Sequence, residues 1–190
     1  MSTIPYEAVK WIWIVFISFW VLAAFVQKRN ARRQSASSRL LQMLIVLVAL
    51  SPFFMVDRRF QSLFRHFLPT PPSVQYFGIL LMLLGCGFAI WARITIGRNW
   101  SGTVTVKENH ALITRGPYAW VRHPIYTGIL LALLGTAVTL GTVIDLLEVP
   151  LIACALWLKI RMEEKFMFET FGEQYTAYRQ QVKALIPHVI

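Results

Sequence analysis

With 190 residues, 56% of them hydrophobic and only 15% charged, and a mean hydropathy of +0.55, the chain is too apolar to be an ordinary water-soluble domain. Its formal net charge of +10 raises nucleic acid as a partner, but the basic residues sit between hydrophobic blocks, where anionic membrane lipids account for them, and no nucleic-acid recognition motif accompanies them. Cys86 and Cys154 stand inside apolar blocks, where a thiol behaves as a small hydrophobe, so neither a disulfide framework nor a Cys-based metal site is implied.

The first block runs from about Trp11 to Val26 and is followed at once by Lys28, Arg29, Arg32 and Arg33. A cleaved signal peptide carries its positive charge in front, so the block reads as a retained helix. After a polar linker, Gln34 to Arg39, the second block spans Leu40 to about Val56 and exits into the Arg- and Pro-bearing loop Asp57–Pro72. The third covers about Val74 to Ala92, and Gly78, Gly85 and Gly87 there predict close helix packing. From Arg93 to His123 the chain is polar and mixed, with an alternating run at Thr103-Val104-Thr105-Val106 that predicts a small strand. A loop of that length is more often functional than idle.

The fourth and fifth blocks, about Pro124–Leu140 and Val143–Ile160, are so close that they predict an antiparallel helical hairpin. Pro124 suits a first helical position, and Asp145, Glu148 and Pro150 fall in or near the opening turns of the fifth block. Beyond Ile160 an amphipathic helix is expected to about Val182, bent near Gly172. Segments 27–39, 93–123 and 159–190 hold five basic residues each, against four in all the other segments together. Alternating spans then put the N-terminus outside, and the long polar loop and the C-terminal helix on the cytoplasmic face.

A short hairpin sets the start of its first helix beside the end of its second. Arg122-His123-Pro124-Ile125-Tyr126 and Lys159-Ile160-Arg161-Met162-Glu163-Glu164 should therefore meet, with His123 and Glu163 as neighbours lining one pocket. Two readings stand at this point. Arg122-His123 can be an interfacial anchor and Glu163 a helical partner of Lys159; or these groups, costly at a membrane edge unless paired or used, form a site. The four histidines lack H-x-x-x-H and H-E-x-x-H spacing, so no metal site is expected, and no Ser stands in a G-x-S-x-G elbow.

Over its C-terminal half the chain resembles the isoprenylcysteine carboxyl methyltransferase family and its relatives, the phospholipid N-methyltransferases. The likeness lies in Arg122-His123-Pro124-Ile125-Tyr126, then Glu163-Glu164, then Phe171-Gly172-Glu173-Gln174-Tyr175-Thr176-Ala177-Tyr178. Upstream, Gly97-Arg98-Asn99-Trp100-Ser101, His110-Ala111-Leu112-Ile113 and Gly116-Pro117-Tyr118 match as well. The resemblance implies S-adenosyl-L-methionine on the cytoplasmic side, along His110, Ala111, Leu112, Ile113, Tyr118, His123, Pro124, Ile125 and Tyr126, with Glu163 taking its amino group. Arg98, Asn99, Arg122, Lys159 and Glu164 are the expected catalytic residues.

A carboxylate nucleophile needs no general base, whereas an amine needs one, for which Glu164 is the candidate. Lys159 is a departure: the resembling carboxyl methyltransferases carry an arginine there for the substrate carboxylate, and lysine offers a point charge without the bidentate fork.

The expected fold is all-α, a polytopic membrane bundle of about five transmembrane helices. It has a cytoplasmic cofactor-binding loop and a C-terminal amphipathic helix. Residues 1–92 supply the N-terminal helices and 93–190 the cofactor-binding and catalytic half of one domain. The leading functional expectation is methyl transfer to a lipophilic substrate, the carboxylate of a prenylated cysteine. N-methylation of a phospholipid or other amine is the alternative, and a non-catalytic lipid-binding scaffold the alternative of another class.

Overall fold

A backbone surrounded by hydrocarbon must satisfy its N–H and C=O groups internally, so long apolar blocks fold as helices. The computed structural model describes residues 4–24, 66, 70–97, 112–187 and 189. Over these the chain is helical: α1 (Ile4–Ala24), α2 (Pro72–Ile96), a 3-10 turn (Gly116–Ala119), α3 (Pro124–Leu140), α4 (Val143–Phe171) and α5 (Glu173–Gln181). Among the described residues β pairing is confined to two isolated bridges, His66 with Thr142 and Val121 with Lys183. The second block (Leu40 to about Val56), the short strand expected at Thr103–Val106 and the expected site residues Arg98, Asn99, His110 and Ala111 lie outside the described residues.

The most extensive helix contact is between α2 and α3. They run antiparallel, since Gly78 faces Gly135 and Thr139 while Gly85 faces Gly128 and Ala132. On both helices the glycines are seven residues apart, which keeps them on one face. A Cβ on Gly85 would lie 2.5 Å from the Gly128 carbonyl oxygen, and one on Gly135 2.5 Å from the Met82 nitrogen. The backbones therefore touch, and dispersion between them replaces a driving force that water does not supply in lipid. Gly87, grouped with these from the sequence, is not part of this seam: no described residue lies within 4 Å of its Cβ position, because it points off the shared face.

Val9 and Phe16 of α1 pack with Met82, Cys86, Ala89 and Ala132, and the Trp13 indole N–H donates to the Thr136 hydroxyl oxygen at 3.1 Å. At the other end the buried Arg93 guanidinium donates to the Ala23 carbonyl at 2.6 Å and to that of Gly97 at 2.7 Å. One cation thus serves the C-terminal ends of α1 and α2, where the helix dipoles favour it. These contacts also make α1 parallel to α2. Leu133, Ile152 and Leu156 close the core between α3 and α4. Facing outward are Leu80, Leu83, Leu84, Leu147, Leu151 and Leu158, an apolar exterior that suits hydrocarbon and would associate in water. Two helical segments, Pro5–Ala23 and Pro72–Ile96, have the length and hydropathy to cross a membrane, and Pro124–Leu140 is a shorter apolar helix.

The hairpin turns at Gly141, whose φ of +65° ends α3, and at Thr142, whose hydroxyl oxygen accepts the Asp145 N–H at 3.4 Å to cap α4. Asp145 lies in the first turn as expected, but Pro150 stands inside α4, deeper than the opening turns. Membrane helices tolerate such a proline because neighbouring groups take up the freed carbonyl. With 29 residues, α4 runs on past Ile160 without a break. At 1.5 Å per residue it is about 43 Å long, more than the roughly 30 Å of hydrocarbon in a typical bilayer. It ends at Gly172, with φ +52° and ψ −123°, a conformation open essentially to glycine.

Candidate active site

The hairpin brings together the two clusters that the sequence separates by forty residues. Pro124 opens α3 with a preset φ and no N–H to leave unsatisfied, which leaves His123 at the N-cap. Glu163 and Glu164 ride on the later turns of α4. His123 Nδ1 lies 3.5 Å from Glu163 Oε2, and its Nε2 lies 3.4 Å from Glu164 Oε1. The Tyr126 hydroxyl donates to Glu163 Oε1 at 2.5 Å, and its ring stacks on that of His123 at 5.6 Å between centroids and 4° between planes. Lys159 Nζ sits 5.4 Å from the centre of the other aromatic partner, the Tyr126 ring.

Arg122 is turned toward the second carboxylate. Its Nε and Nη2 donate to Glu164 Oε1 at 2.9 and 2.5 Å, and its Nη1 donates to the carbonyls of Arg179 (3.3 Å) and Val182. The pair is largely enclosed, with side-chain exposures of 8% and 13%. Arg179 Nε adds a looser contact to Glu164 Oε2 at 3.6 Å.

Burial alone would neutralise these groups. For Glu163 it raises the pKa, yet the hydrogen bond with His123, the Lys159 charge and the Tyr126 hydroxyl outweigh it and hold the carboxyl below its ordinary value. Burial likewise raises Glu164, but His123 and Arg122 bring it down to about 2. Burial pushes His123 down, and the two carboxylates together lift it above its ordinary value, so the imidazole carries a positive charge more readily. The cluster is thus ionic, and Glu163, unlike Glu164, has no guanidinium on it among the described residues.

Other expected residues take more peripheral places. Tyr118, in the 3-10 turn, is buried, and burial raises its hydroxyl pKa, as the nearby Glu163 also does. Its carbonyl accepts the Tyr178 hydroxyl at 2.5 Å. Pro124 is buried, while Leu112, Ile113 and Ile125 are half-buried. A further set was missed by side-chain reasoning. The Arg122 N–H donates to the Lys183 carbonyl at 2.8 Å, the His123 N–H to that of Ala184 at 3.0 Å, and the Thr127 hydroxyl to that of Leu185 at 2.8 Å. The extended segment after α5 therefore fixes the backbone that carries the imidazole. Only the spaced Tyr175 and Tyr178 pointed to this docking, and both prove buried.

Chemically, the cluster offers a buried carboxylate to a ligand's cation and a charged imidazole to a ligand's anion, side by side, with aromatic rings for a flat or cationic group. His123 Nε2 is buried, and its 3.4 Å contact to Glu164 Oε1 is too poorly aligned to be a well-formed hydrogen bond.

The family model of the isoprenylcysteine carboxyl methyltransferase (ICMT) family matches residues 78–169. A probable protein-S-isoprenylcysteine O-methyltransferase of Oryza sativa subsp. indica is 31% identical over 170 residues, which cover 88% of this chain and 86% of the relative. The protein-S-isoprenylcysteine O-methyltransferase of Schizosaccharomyces pombe is 34% identical over 135 residues, 68% of this chain and 55% of the relative. Among solved structures, the eukaryotic intramembrane Ras methyltransferase ICMT superposes with a TM-score of 0.53 at 26% identity, over 84% of this chain and 55% of that one. With one relative matched over nearly its whole length, and the motif residues gathered at one end of the hairpin, this chain belongs to the isoprenylcysteine carboxyl methyltransferase family.

Proposed function

We propose that the protein is an integral membrane methyltransferase that uses S-adenosyl-L-methionine to methylate the carboxylate of a prenylated cysteine. The observation that carries this reading is the approach of His123 to Glu163 within 3.5 Å, which builds paired charges at the cytoplasmic end of the hairpin in a chain of this family.

The residues fit the cofactor. Glu163 suits its ammonium group; His123 and the first N–H groups of α3 suit its carboxylate; Tyr118 and Tyr126 suit the adenine or the sulfonium face. When bound, the cofactor supplies an electrophilic methyl group. The protein's part is then alignment and exclusion of water. Lys159, above the Tyr126 ring, stands where a substrate carboxylate can be oriented by a point charge. Arg98, Asn99, His110 and Ala111, outside the described residues, are proposed to complete the site from the preceding loop.

Glu164 bears on the choice between ester and amine products. Bound by Arg122 and with its pKa at about 2, it is a poor general base. A carboxylate substrate requires none, which supports O-methylation. In topology, the parallel α1 and α2 need one return crossing between them, the role proposed for the second hydrophobic block. That gives five crossings, with the N-terminus outside and the site cytoplasmic.

The test is calorimetric titration with S-adenosylhomocysteine. Saturable heat is expected from the wild type, with affinity lower by at least about 10-fold for His123→Ala and Glu163→Ala, since each removes a charge-assisted hydrogen bond. No heat from the folded wild type overturns the reading. Labelled methyl groups offered with a farnesylcysteine analogue should yield a product lost in mild base; a base-stable product would indicate an amine substrate.

A further inference from the structure

A cavity of about 440 Å3 opens beside the Arg122–Glu164 pair, and neither His123, Tyr126 nor Glu163 lines it. Its wall carries four cations, Arg122, Arg161, Arg179 and Lys183, against the one carboxylate of Glu164. Arg122 already matches that carboxylate through two hydrogen bonds, and Arg179 adds only its longer contact. Among the described residues Arg161 and Lys183 have no ion-pair partner, and both are exposed. The cleft therefore holds like charges converging on a partly enclosed space, an arrangement that an anion between them would stabilise.

The rest of the wall is apolar. Trp157 and Ile160 contribute to it from α4, the former 42% exposed and beside the outward-facing Leu158. A tryptophan at this height, two residues before Lys159 opens the polar stretch, is what the headgroup level of a bilayer selects. A small soluble anion would use the cations and leave the apolar wall idle; an amphiphilic anion would use both. Guanidinium groups favour phosphate oxygens, which they can grip in pairs.

We infer that this cleft binds a phosphate group, and that the phosphate is that of an anionic phospholipid whose head lies among Arg161, Arg179 and Lys183 and whose tail leaves along Trp157. The inference rests on the membrane reading of the chain but not on its methyl transfer, so the two can fail separately.

The test is native mass spectrometry of the full chain released from nanodiscs that contain phosphatidylglycerol and phosphatidylcholine in equal amounts, with inorganic phosphate as a second probe. The expected result is retention of one phosphatidylglycerol in preference to phosphatidylcholine by about 10-fold, and a fall of similar size in the Arg161→Gln/Lys183→Gln protein. A charge-matched control, Lys10→Gln/Lys165→Gln, should retain the lipid. If the double variant does not fold, Arg161→Gln and Lys183→Gln singly should each lose about threefold. Binding of inorganic phosphate that depends on the same two residues, with no added preference for the lipid, would keep the phosphate site and reassign its source. Equal losses in the cleft variant and the control, or no preference between the lipids together with no phosphate binding, would overturn the inference.

Discussion

Glu163 and Glu164 are adjacent in sequence, chemically alike and share the His123 imidazole, yet their remaining partners differ. Arg122 holds Glu164 as a structural anion, whereas Glu163 keeps its charge through an imidazole, a tyrosine hydroxyl and a lysine, partners that a ligand can share or replace. The imidazole between them has a pH signature. Burial lowers its pKa, but the carboxylates win and the folded value stands above the unfolded value of about 6.5. The stabilisation is therefore complete below the unfolded value and is lost as pH rises through the folded one. The thermal midpoint of the detergent-solubilised protein should fall as pH rises above about 6.5, and His123→Gln should flatten that fall. Parallel curves for the two proteins would show that the imidazole is not held charged. Glu164 has the opposite sign: its contribution is present above about pH 4.3 and is lost only as pH falls toward about 2.

Between elements, the decisive contact is the glycine seam of α2 and α3. An added methyl at Gly135 would meet the backbone of Met82 and Gly78, which cannot rotate away as a side chain can. Gly135→Ala should therefore destabilise by about 1–3 kcal/mol, the usual scale of overpacking. Gly87→Ala meets no described residue and should lie within about 0.5 kcal/mol of the wild type or be more stable, since alanine is the better helix former. Thermal unfolding in detergent compares them. Equal effects would mean that the seam is looser than the distances indicate. The seam bears on function because α3 carries His123 at its start, so a shift of α3 moves the imidazole against Glu163.

At the scale of the whole molecule, one arginine joins the C-terminal ends of α1 and α2, and the last turns of α4 carry Glu163 and Glu164. Both place the polar cluster at one face of the bundle. With cysteine introduced as Gln181→Cys, an impermeant maleimide should label that position only after the cells are opened. Labelling of intact cells would reverse the topology. The apolar blocks that fall among the described residues, the hairpin and the nearness of His123 to Glu163 were legible in the sequence, because hydropathy and a short turn are local properties that fix which helix ends meet. Three features were decided only by tertiary structure: that Arg122 takes Glu164 and leaves Glu163, that Gly87 faces away from the seam its neighbours form, and that residues 183–185 clamp the His123 backbone. Each depends on the rotation of one element against another, and residue order along the chain does not encode that rotation locally; the packing of whole helices sets it.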